Sequence, residues 1–123
     1  MMINSEKLGH ILQNFVAGLS EIQGAAIVTP DGLSLSSALP PGMDEERVAA
    51  MSAAMLSLGE RIGSELSRGS IERVLIEGEQ GYSILMDCGQ DALLLVLAHK
   101  SAKQGILQLE IKRIVAELKL IFN

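Results

Sequence analysis

The stretch Ala92-Leu93-Leu94-Leu95-Val96-Leu97-Ala98 is apolar at all seven positions and decides the fold. A strand with one face in water alternates apolar and polar residues, whereas a strand buried on both faces is a continuous apolar run. The run is far shorter than the roughly 20 apolar residues of a transmembrane helix. It therefore predicts a central strand of a sheet that helices cover on both sides.

Two segments before this run, residues 71–77 and 82–87, also have the composition of strands. The links between the three strands, residues 78–81 and 88–91, have four residues each and are short enough for hairpins. The three segments therefore predict consecutive antiparallel strands. We expect the first of them, residues 71–77, to lie at an edge of the sheet.

A second group of strands is predicted near the start of the chain. Residues 24–29 are apolar and bounded by turn residues, and residues 33–37 alternate apolar and polar positions, as half-exposed strands do. The Pro30-Asp31-Gly32 sequence between them is typical of a tight turn, because proline fixes φ and glycine accepts a positive φ. These segments predict a hairpin.

Amphipathic helices are predicted over residues 5–22, over about 44–68 and from Ser101 almost to the last residue, since each segment has apolar residues at helical spacing. Asp44 is the predicted N-cap of the second helix. Ser101 and Gln104 predict a capping box for the third helix. The element order is thus helix, two strands, helix, three strands, helix.

The length and composition favour one globular α+β domain over residues 1–123. Hydrophobic residues make up 48% of the chain and charged residues 20%, which excludes intrinsic disorder. The net charge of −5 and the scarcity of aromatic residues disfavour binding to nucleic acid or to anionic lipid. One cysteine and the lack of a signal-peptide pattern favour the cytoplasm.

The sequence contains no motif that predicts catalysis, metal binding or cofactor binding. There is no P-loop, because Gly59-x-x-x-Gly63 lacks the lysine, and there is no zinc-protease or serine-hydrolase signature. His10 and His99 are isolated in the sequence, and Cys88 stands close to acidic residues that disfavour a thiolate. We therefore expect a protein that is not an enzyme and has no cofactor.

The middle helix has two neighbouring stripes of residues. The large side chains are expected to pack on the sheet: Val48, Met51, Met55, Leu58, Ile62 and Leu66. The second stripe is small: Ala49, Ser52, Ala53, Leu56, Gly59 and Gly63. Each glycine within a helix costs about 1 kcal/mol relative to alanine, so a close approach of another backbone should compensate. That backbone is a second helix in a dimer or, alternatively, the sheet of the same chain.

Two further surfaces are candidates for protein binding. An exposed edge strand with Val74, Leu75 and Ile76 invites pairing with another copy, whereas Glu72, Arg73 and Glu77 would protect that edge. The outward face of the middle helix is smooth and weakly charged, which fits either a docking surface or an ordinary exposed helical face. This outward face consists of Ala50, Ala54, Ser57, Arg61 and Ser64.

Four stretches of the sequence resemble the Roadblock/dynein light chain family, at family-like spacing over essentially the whole chain. They are residues 24–28 (GAAIV) followed by Asp31-Gly32, residues 58–63 (LGERIG), residues 74–77 (VLIE) and residues 92–98. The resemblance implies a five-stranded antiparallel sheet of the Roadblock and profilin-like kind. The middle helix would lie on one face of the sheet and the two terminal helices on the other.

The resemblance also implies a function. Members of this family form dimers, have no catalytic centre of their own and serve as platforms for small Ras-like GTPases. Bacterial members similar to MglB act on a GTPase that controls polarity or motility, and eukaryotic relatives are adaptors in dynein motors and in lysosomal signalling complexes. In the family the middle helix and the strand after it meet their copies across a two-fold axis. The implied dimer interface is Ala49, Ser52, Ala53, Leu56, Gly59, Gly63, Glu72, Arg73, Val74, Leu75 and Ile76, and the implied GTPase contact is the outward face of the middle helix.

We therefore predict a non-catalytic, homodimeric, cytoplasmic adaptor that binds a small Ras-like GTPase and modulates its nucleotide-state switch. It would have no nucleic-acid partner and no membrane insertion. The alternative is a scaffold that assembles a motor or signalling complex without a GTPase partner. Nucleotide-dependent binding separates the two, because only the regulator should prefer one nucleotide state of its partner.

Overall fold

The fold was determined from a computed structural model, which describes residues 4–123. The elements are α1 (Ser5–Gly18), β1 (Ile22–Val28), β2 (Ser34–Ala38), α2 (Glu45–Glu65), β3 (Arg73–Glu77), β4 (Gly81–Gly89), β5 (Ala92–His99) and α3 (Gln104–Phe122). This order confirms the predicted α-β-β-α-β-β-β-α arrangement.

The strands form one antiparallel sheet in the order β2-β1-β5-β4-β3. The apolar run is the central strand β5, which pairs with β1 on one side and β4 on the other. β2 and β3 are the two edge strands. The edge position predicted for residues 71–77 is therefore confirmed.

Alternate residues of β5 belong to two separate cores, one on each face of the sheet. Leu94 and Val96 pack in the core that α1 and α3 cover, whereas Leu93 and Leu95 pack in the core beneath α2. All four are buried, as the continuous apolar run predicts. The middle helix thus lies on one face and the terminal helices on the other, which confirms the expected layers.

Each of the three helices differs from the prediction at one end, and α2 ends at Glu65 rather than near residue 68. α1 ends at Gly18 rather than near residue 22, because Ile22 pairs with Ala98 of β5 and belongs to the sheet. The capping box predicted for α3 is wrong, since Lys103 is the N-cap and makes no side-chain hydrogen bond. Ser101 is engaged elsewhere: its backbone N–H donates to Nδ1 of His99 at 3.0 Å, and its Oγ lies 2.8 Å from the same nitrogen.

The predicted N-cap of the middle helix is confirmed. The carboxylate of Asp44 accepts hydrogen bonds from the backbone N–H groups of Glu46 at 2.9 Å and Arg47 at 3.4 Å. Glu45 and Glu46 occupy the first turn, where negative charge is favourable to the helix dipole. The start of α2, which sets its position on the sheet, is therefore well determined by local chemistry.

The contact between Gly89 and the end of α3 gives a test of the fold. Gly89 has φ of +139°, and a Cβ placed there would lie 2.5 Å from Cβ of Phe122. We expect Gly89→Ala to lower the free energy of unfolding by about 1–3 kcal/mol, because strain and overpacking act together. Urea denaturation measures the loss. Gly9→Ala in α1 is the control, since its Cβ would meet nothing within 4 Å and should not destabilise.

A candidate protein-binding surface on the middle helix and edge strand

The small residues of α2 face the sheet of their own chain. Ala49 and Ser52 are 0% and 1% exposed, and Oγ of Ser52 donates to the backbone carbonyl of Val48 at 2.8 Å. A Cβ at Gly59 would lie 2.9 Å from Cγ2 of Val74. The helix therefore lies so close to the sheet that a larger side chain at these positions has little room.

Gly63 has the tightest surroundings in this helix. A Cβ there would lie 2.7 Å from Cδ1 of Ile71 and 2.8 Å from the carbonyl oxygen of Gly69. Both glycines of α2 thus contact the chain's own fold, which is the alternative that the sequence left open, and the approach of a second helix stays a prediction. Ala49, Ser52 and Gly63 are buried within one protomer and have no surface left for a dimer contact.

The remaining small-stripe residues also contact their own chain. Leu56 packs against the core beneath α2, and Ala53 lies beside the β1–β2 turn, where a Cβ on Gly32 would be 3.8 Å from Cβ of Ala53. Both residues are only partly buried. Neither of them lines the apolar groove described below.

The large stripe of α2 was expected to cover the sheet and mostly does not. Val48 and Met55 are partly buried against the core beneath α2, as predicted. The other four residues are exposed: Met51, Leu58, Ile62 and Leu66. For these four the expectation is wrong. Because the small face of α2 already occupies the sheet, the large side chains extend along one flank of the helix.

This flank borders an apolar groove of about 520 Å³ between α2 and the sheet. Met51, Met55 and Leu58 form its helical wall, and Ile76 and Leu97 lie on the sheet side. Its polar lining side chains are two serines. Within residues 4–123 no element covers this part of the sheet, so the groove exposes side chains that a soluble core would normally enclose.

The edge strand β3 continues the exposed apolar surface. β3 pairs only with β4, and its other side is open. Leu75 is 44% and Ile76 52% exposed, whereas Val74 is partly buried beneath α2. An open edge with apolar side chains is a template for pairing with another strand.

The charged residues at the two ends of β3 have partners within the chain. Gln108 of α3 can turn its amide oxygen toward Arg73 and accept from Nη1 and Nη2 at 2.9 and 3.0 Å. Nζ of Lys100 donates to the carboxylate of Glu77, and this hydrogen bond raises the pKa of Lys100. The charged residues thus lie at the two ends of β3, where each has a partner, and the apolar centre of the strand edge is open.

The outward face of α2 is exposed as the sequence suggested. It consists of Ala50, Ala54, Ser57, Arg61 and Ser64, all of which are exposed. Nε of Arg61 donates to Oε1 of Glu65 at 3.2 Å, an exposed pair that contributes little to stability. Ala54 also lines the apolar groove, so this face and the groove are contiguous.

Outside this surface, the thiol of the one cysteine and the side chains that could bind a metal offer little reactivity. Cys88 is buried, and burial together with the charge of Asp87 raises the pKa of its thiol to about 12, so it is protonated at neutral pH. Among residues 4–123, no group of three or more His, Cys, Asp or Glu is placed to hold a metal ion. No helix in that range is long and apolar enough to cross a membrane.

The close packing of α2 predicts the effect of a methyl group at Gly63. Gly63→Ala should lower the free energy of unfolding by about 1–3 kcal/mol, although alanine is the better helix former, because Cβ collides with the backbone at Gly69. Chemical denaturation measures the change. Ser64→Ala, at the exposed next position, is the control and should leave stability nearly unchanged. A more stable Gly63→Ala protein would contradict the close contact.

The sequence of this chain is similar to that of known proteins. Residues 8–98 match the model of the Roadblock/LC7 domain. The uncharacterized protein MJ1340 of Methanocaldococcus jannaschii is 35% identical over 101 residues, which are 82% of this chain and 88% of that protein. A second uncharacterized protein of the same organism, MJ0310, has the same identity and coverage.

Solved structures share the fold. A Roadblock/LC7 domain from Streptomyces avermitilis superposes with a TM-score of 0.83 at 22% identity, covering 89% of this chain and 92% of that one. Myxococcus xanthus MglB gives 0.88 at 18% identity, with 99% and 93% covered. Acanthamoeba castellanii profilin IB gives 0.66 at 13% identity, with 89% and 94% covered. From the match over residues 8–98 and the similarity to MJ1340, the chain belongs to the Roadblock/LC7 domain family.

Proposed function

We propose that this protein is a non-catalytic cytoplasmic adaptor that forms a homodimer through α2 and β3 and binds a small Ras-like GTPase. The observation that supports the dimer most strongly is the continuous exposed apolar surface. It runs along the flank of α2 through Met51 and Leu58 and across the groove to Ile76 of β3. Monomeric proteins rarely expose a contiguous apolar patch of this kind without a partner.

The shape of this surface fits a second copy of the same chain. A two-fold contact needs one self-complementary patch, and here an apolar ridge on α2 lies beside an apolar groove. The ridge of one protomer would fill the groove of the other. The open edge of β3 would then lie next to its copy and extend the sheet across the axis.

The proposed interface therefore differs from the one expected from the sequence. It keeps the residues of the edge strand region, Glu72, Arg73, Val74, Leu75 and Ile76, whereas Ala53, Leu56 and Gly59 do not line its groove. Its centre is formed by Met51, Leu58 and Ile62, which sequence reasoning had assigned to the sheet. The sequence signal for this centre is the presence of two stripes on α2, one large and one small. Because the small stripe packs closely on the sheet, the large stripe is left exposed.

A charge in the centre of this interface should separate the protomers. We expect Leu58→Glu to be monomeric at concentrations where the unmodified protein is dimeric, because a carboxylate would be desolvated in the apolar groove. The dissociation constant should rise at least about 100-fold, as burying an unpaired charge costs several kcal/mol. Light scattering coupled to size exclusion measures the mass.

Leu33→Glu is the matched control for this experiment. Leu33 follows the β1–β2 turn and is 62% exposed, close to the 60% of Leu58, but it does not line the groove. It should leave the dimer intact. A monomeric unmodified protein would contradict the homodimer, and an equal response of the two variants would place the contact elsewhere.

The GTPase partner is proposed from family membership together with the outward face of α2. In a two-fold dimer this face would lie beside its copy on one side of the assembly. Its small side chains permit close approach of a partner, and its position next to the groove makes it continuous with the dimer contact. A regulator shifts a nucleotide switch only as far as its affinities for the two states differ.

Affinity capture tests this proposal and its alternative. The tagged protein is incubated with native lysate and either excess GDP or a non-hydrolysable GTP analogue, and bound proteins are identified by mass spectrometry. We expect a small GTPase that is enriched at least about tenfold in one nucleotide condition, a difference of about 1.4 kcal/mol. A partner set without a GTPase, or one indifferent to nucleotide, would favour the scaffold.

Ser57→Arg locates the contact more cleanly than a change at Ala54, which also lines the dimer groove. A bulky cation on the outward face should abolish capture while the dimer persists. Ala17→Arg, at an exposed position of α1 on the other face of the sheet, is the control and should still capture the partner. Capture by Ser57→Arg at the unmodified level would exclude this face.

A further inference from the structure

The last helix has a second apolar stripe that the fold does not use. Its buried face packs on the sheet through Leu107, Ile111, Ile114 and Leu118. On the opposite side three large side chains face solvent: Ile106 at 48%, Leu109 at 60% and Leu120 at 84% exposure. Leu120 has the highest exposure among the exposed large hydrophobic side chains of residues 4–123.

These residues lie on one straight line along the helix. Ile106, Leu109, Arg113, Ala116 and Leu120 follow each other at intervals of three, four, three and four residues. This is the spacing of the a and d positions of a coiled coil, here over two heptads. All five side chains are exposed. We call this set the α3 seam.

The residues that flank the α3 seam have opposite charges on its two sides. Lys112 and Lys119 occupy the g positions, and Glu110 and Glu117 occupy the e positions. Glu110 pairs with Arg113 of the same helix at 3.5 Å. Among the residues that the structure describes, Lys112, Lys119 and Glu117 form no ion pair, and all three are exposed.

We propose that the α3 seam is a second homotypic interface, at which two copies of this chain pair their α3 helices in parallel. The charges decide both the occupant and the direction. In a parallel pair, Lys112 of one copy faces Glu117 of the other, and the reverse, whereas an antiparallel pair sets lysine against lysine and glutamate against glutamate. The seam is thus electrostatically complementary to itself in one orientation.

Arg113 at the central a position fits this arrangement. A single polar residue at an a position fixes register and strand number at a cost in stability. Its Nη1 lies 3.5 Å from Oε1 of Glu110, which flanks the seam. The pairing is therefore specific and weak, and it spans only about 21 Å of helix.

The α3 seam lies on the other side of the sheet from the proposed α2–β3 dimer surface, and neither needs the other. Where both form, each copy has two different two-fold contacts. Two such contacts build a closed tetramer when their axes cross at a right angle and an open chain when the axes do not meet. The inference goes beyond the proposed function, because it concerns how dimers associate and not how a GTPase is bound.

Disulfide trapping tests the direction and the occupant together. Leu109→Cys and Ala116→Cys, made singly, place a thiol at two d positions seven residues apart. In a parallel pair each thiol meets its own copy, so both variants should form covalent dimers under mild oxidation at least tenfold faster than Gln13→Cys, an exposed control on α1. The native Cys88 is buried and does not interfere.

The outcomes of this experiment distinguish a parallel pair from an antiparallel pair and from no pair. An antiparallel pair brings equal residues together at no more than one of the two positions, so trapping at one position only would overturn the proposal. Trapping at neither, or at the rate of Gln13→Cys, would show that a different partner or none covers the seam. The experiment is repeated with Leu58→Glu, so a failure of the α2–β3 dimer does not mask the result.

Charge reversal tests the complementarity independently. Lys112→Glu should slow trapping at Leu109→Cys at least fivefold, because glutamate then faces glutamate across the parallel pair. Adding Glu117→Lys should restore the rate, since the interchain pairs are reformed with opposite sign. High salt should also slow trapping at Leu109→Cys when both charges are unchanged, because salt screens the attraction between Lys112 and Glu117. An unchanged rate in Lys112→Glu, or no recovery in the double variant, would overturn the proposal.

Discussion

The close contact between α2 and its own sheet is the constraint on which the exposed surfaces of this protein depend. Ala49 and Ser52 are fully buried against the sheet, and Gly59 and Gly63 leave no room for a Cβ. A helix that packs this closely on the sheet through its small side chains cannot also bury its large side chains on the same strands. The unfavourable helix propensity of the two glycines is therefore offset inside the protomer, and the apolar flank of α2 is what remains for a partner.

The central strand connects this constraint to the layered architecture. Because β5 is apolar at every position, it supplies both faces of the sheet, Leu94 and Val96 to one core and Leu93 and Leu95 to the other. The two cores differ in completeness. Two helices cover the first, whereas α2 alone covers the second and leaves Leu97 at the floor of a groove. The face with one helix is consequently the face with unused apolar surface.

Sequence reasoning predicted the element order, the central strand and the edge strand, because these follow from local periodicity and short links. It failed where two local patterns compete. Periodicity shows that α2 has two stripes, but the choice of the stripe that faces the sheet depends on how closely the helix can approach residues such as Val74 and Ile71, which are distant in sequence. The same holds for Ser101, whose predicted cap was displaced by contacts with His99.

The two sides of the sheet then present two kinds of unused surface. The α2 flank and β3 edge offer an apolar ridge, a groove and a free strand, whereas α3 offers a narrow helical stripe with charges that specify its partner. The first has the apolar character of a permanent contact, whereas the second is narrow and charged, as weak contacts are. A protein with both could form a stable dimer whose further association responds to concentration and salt.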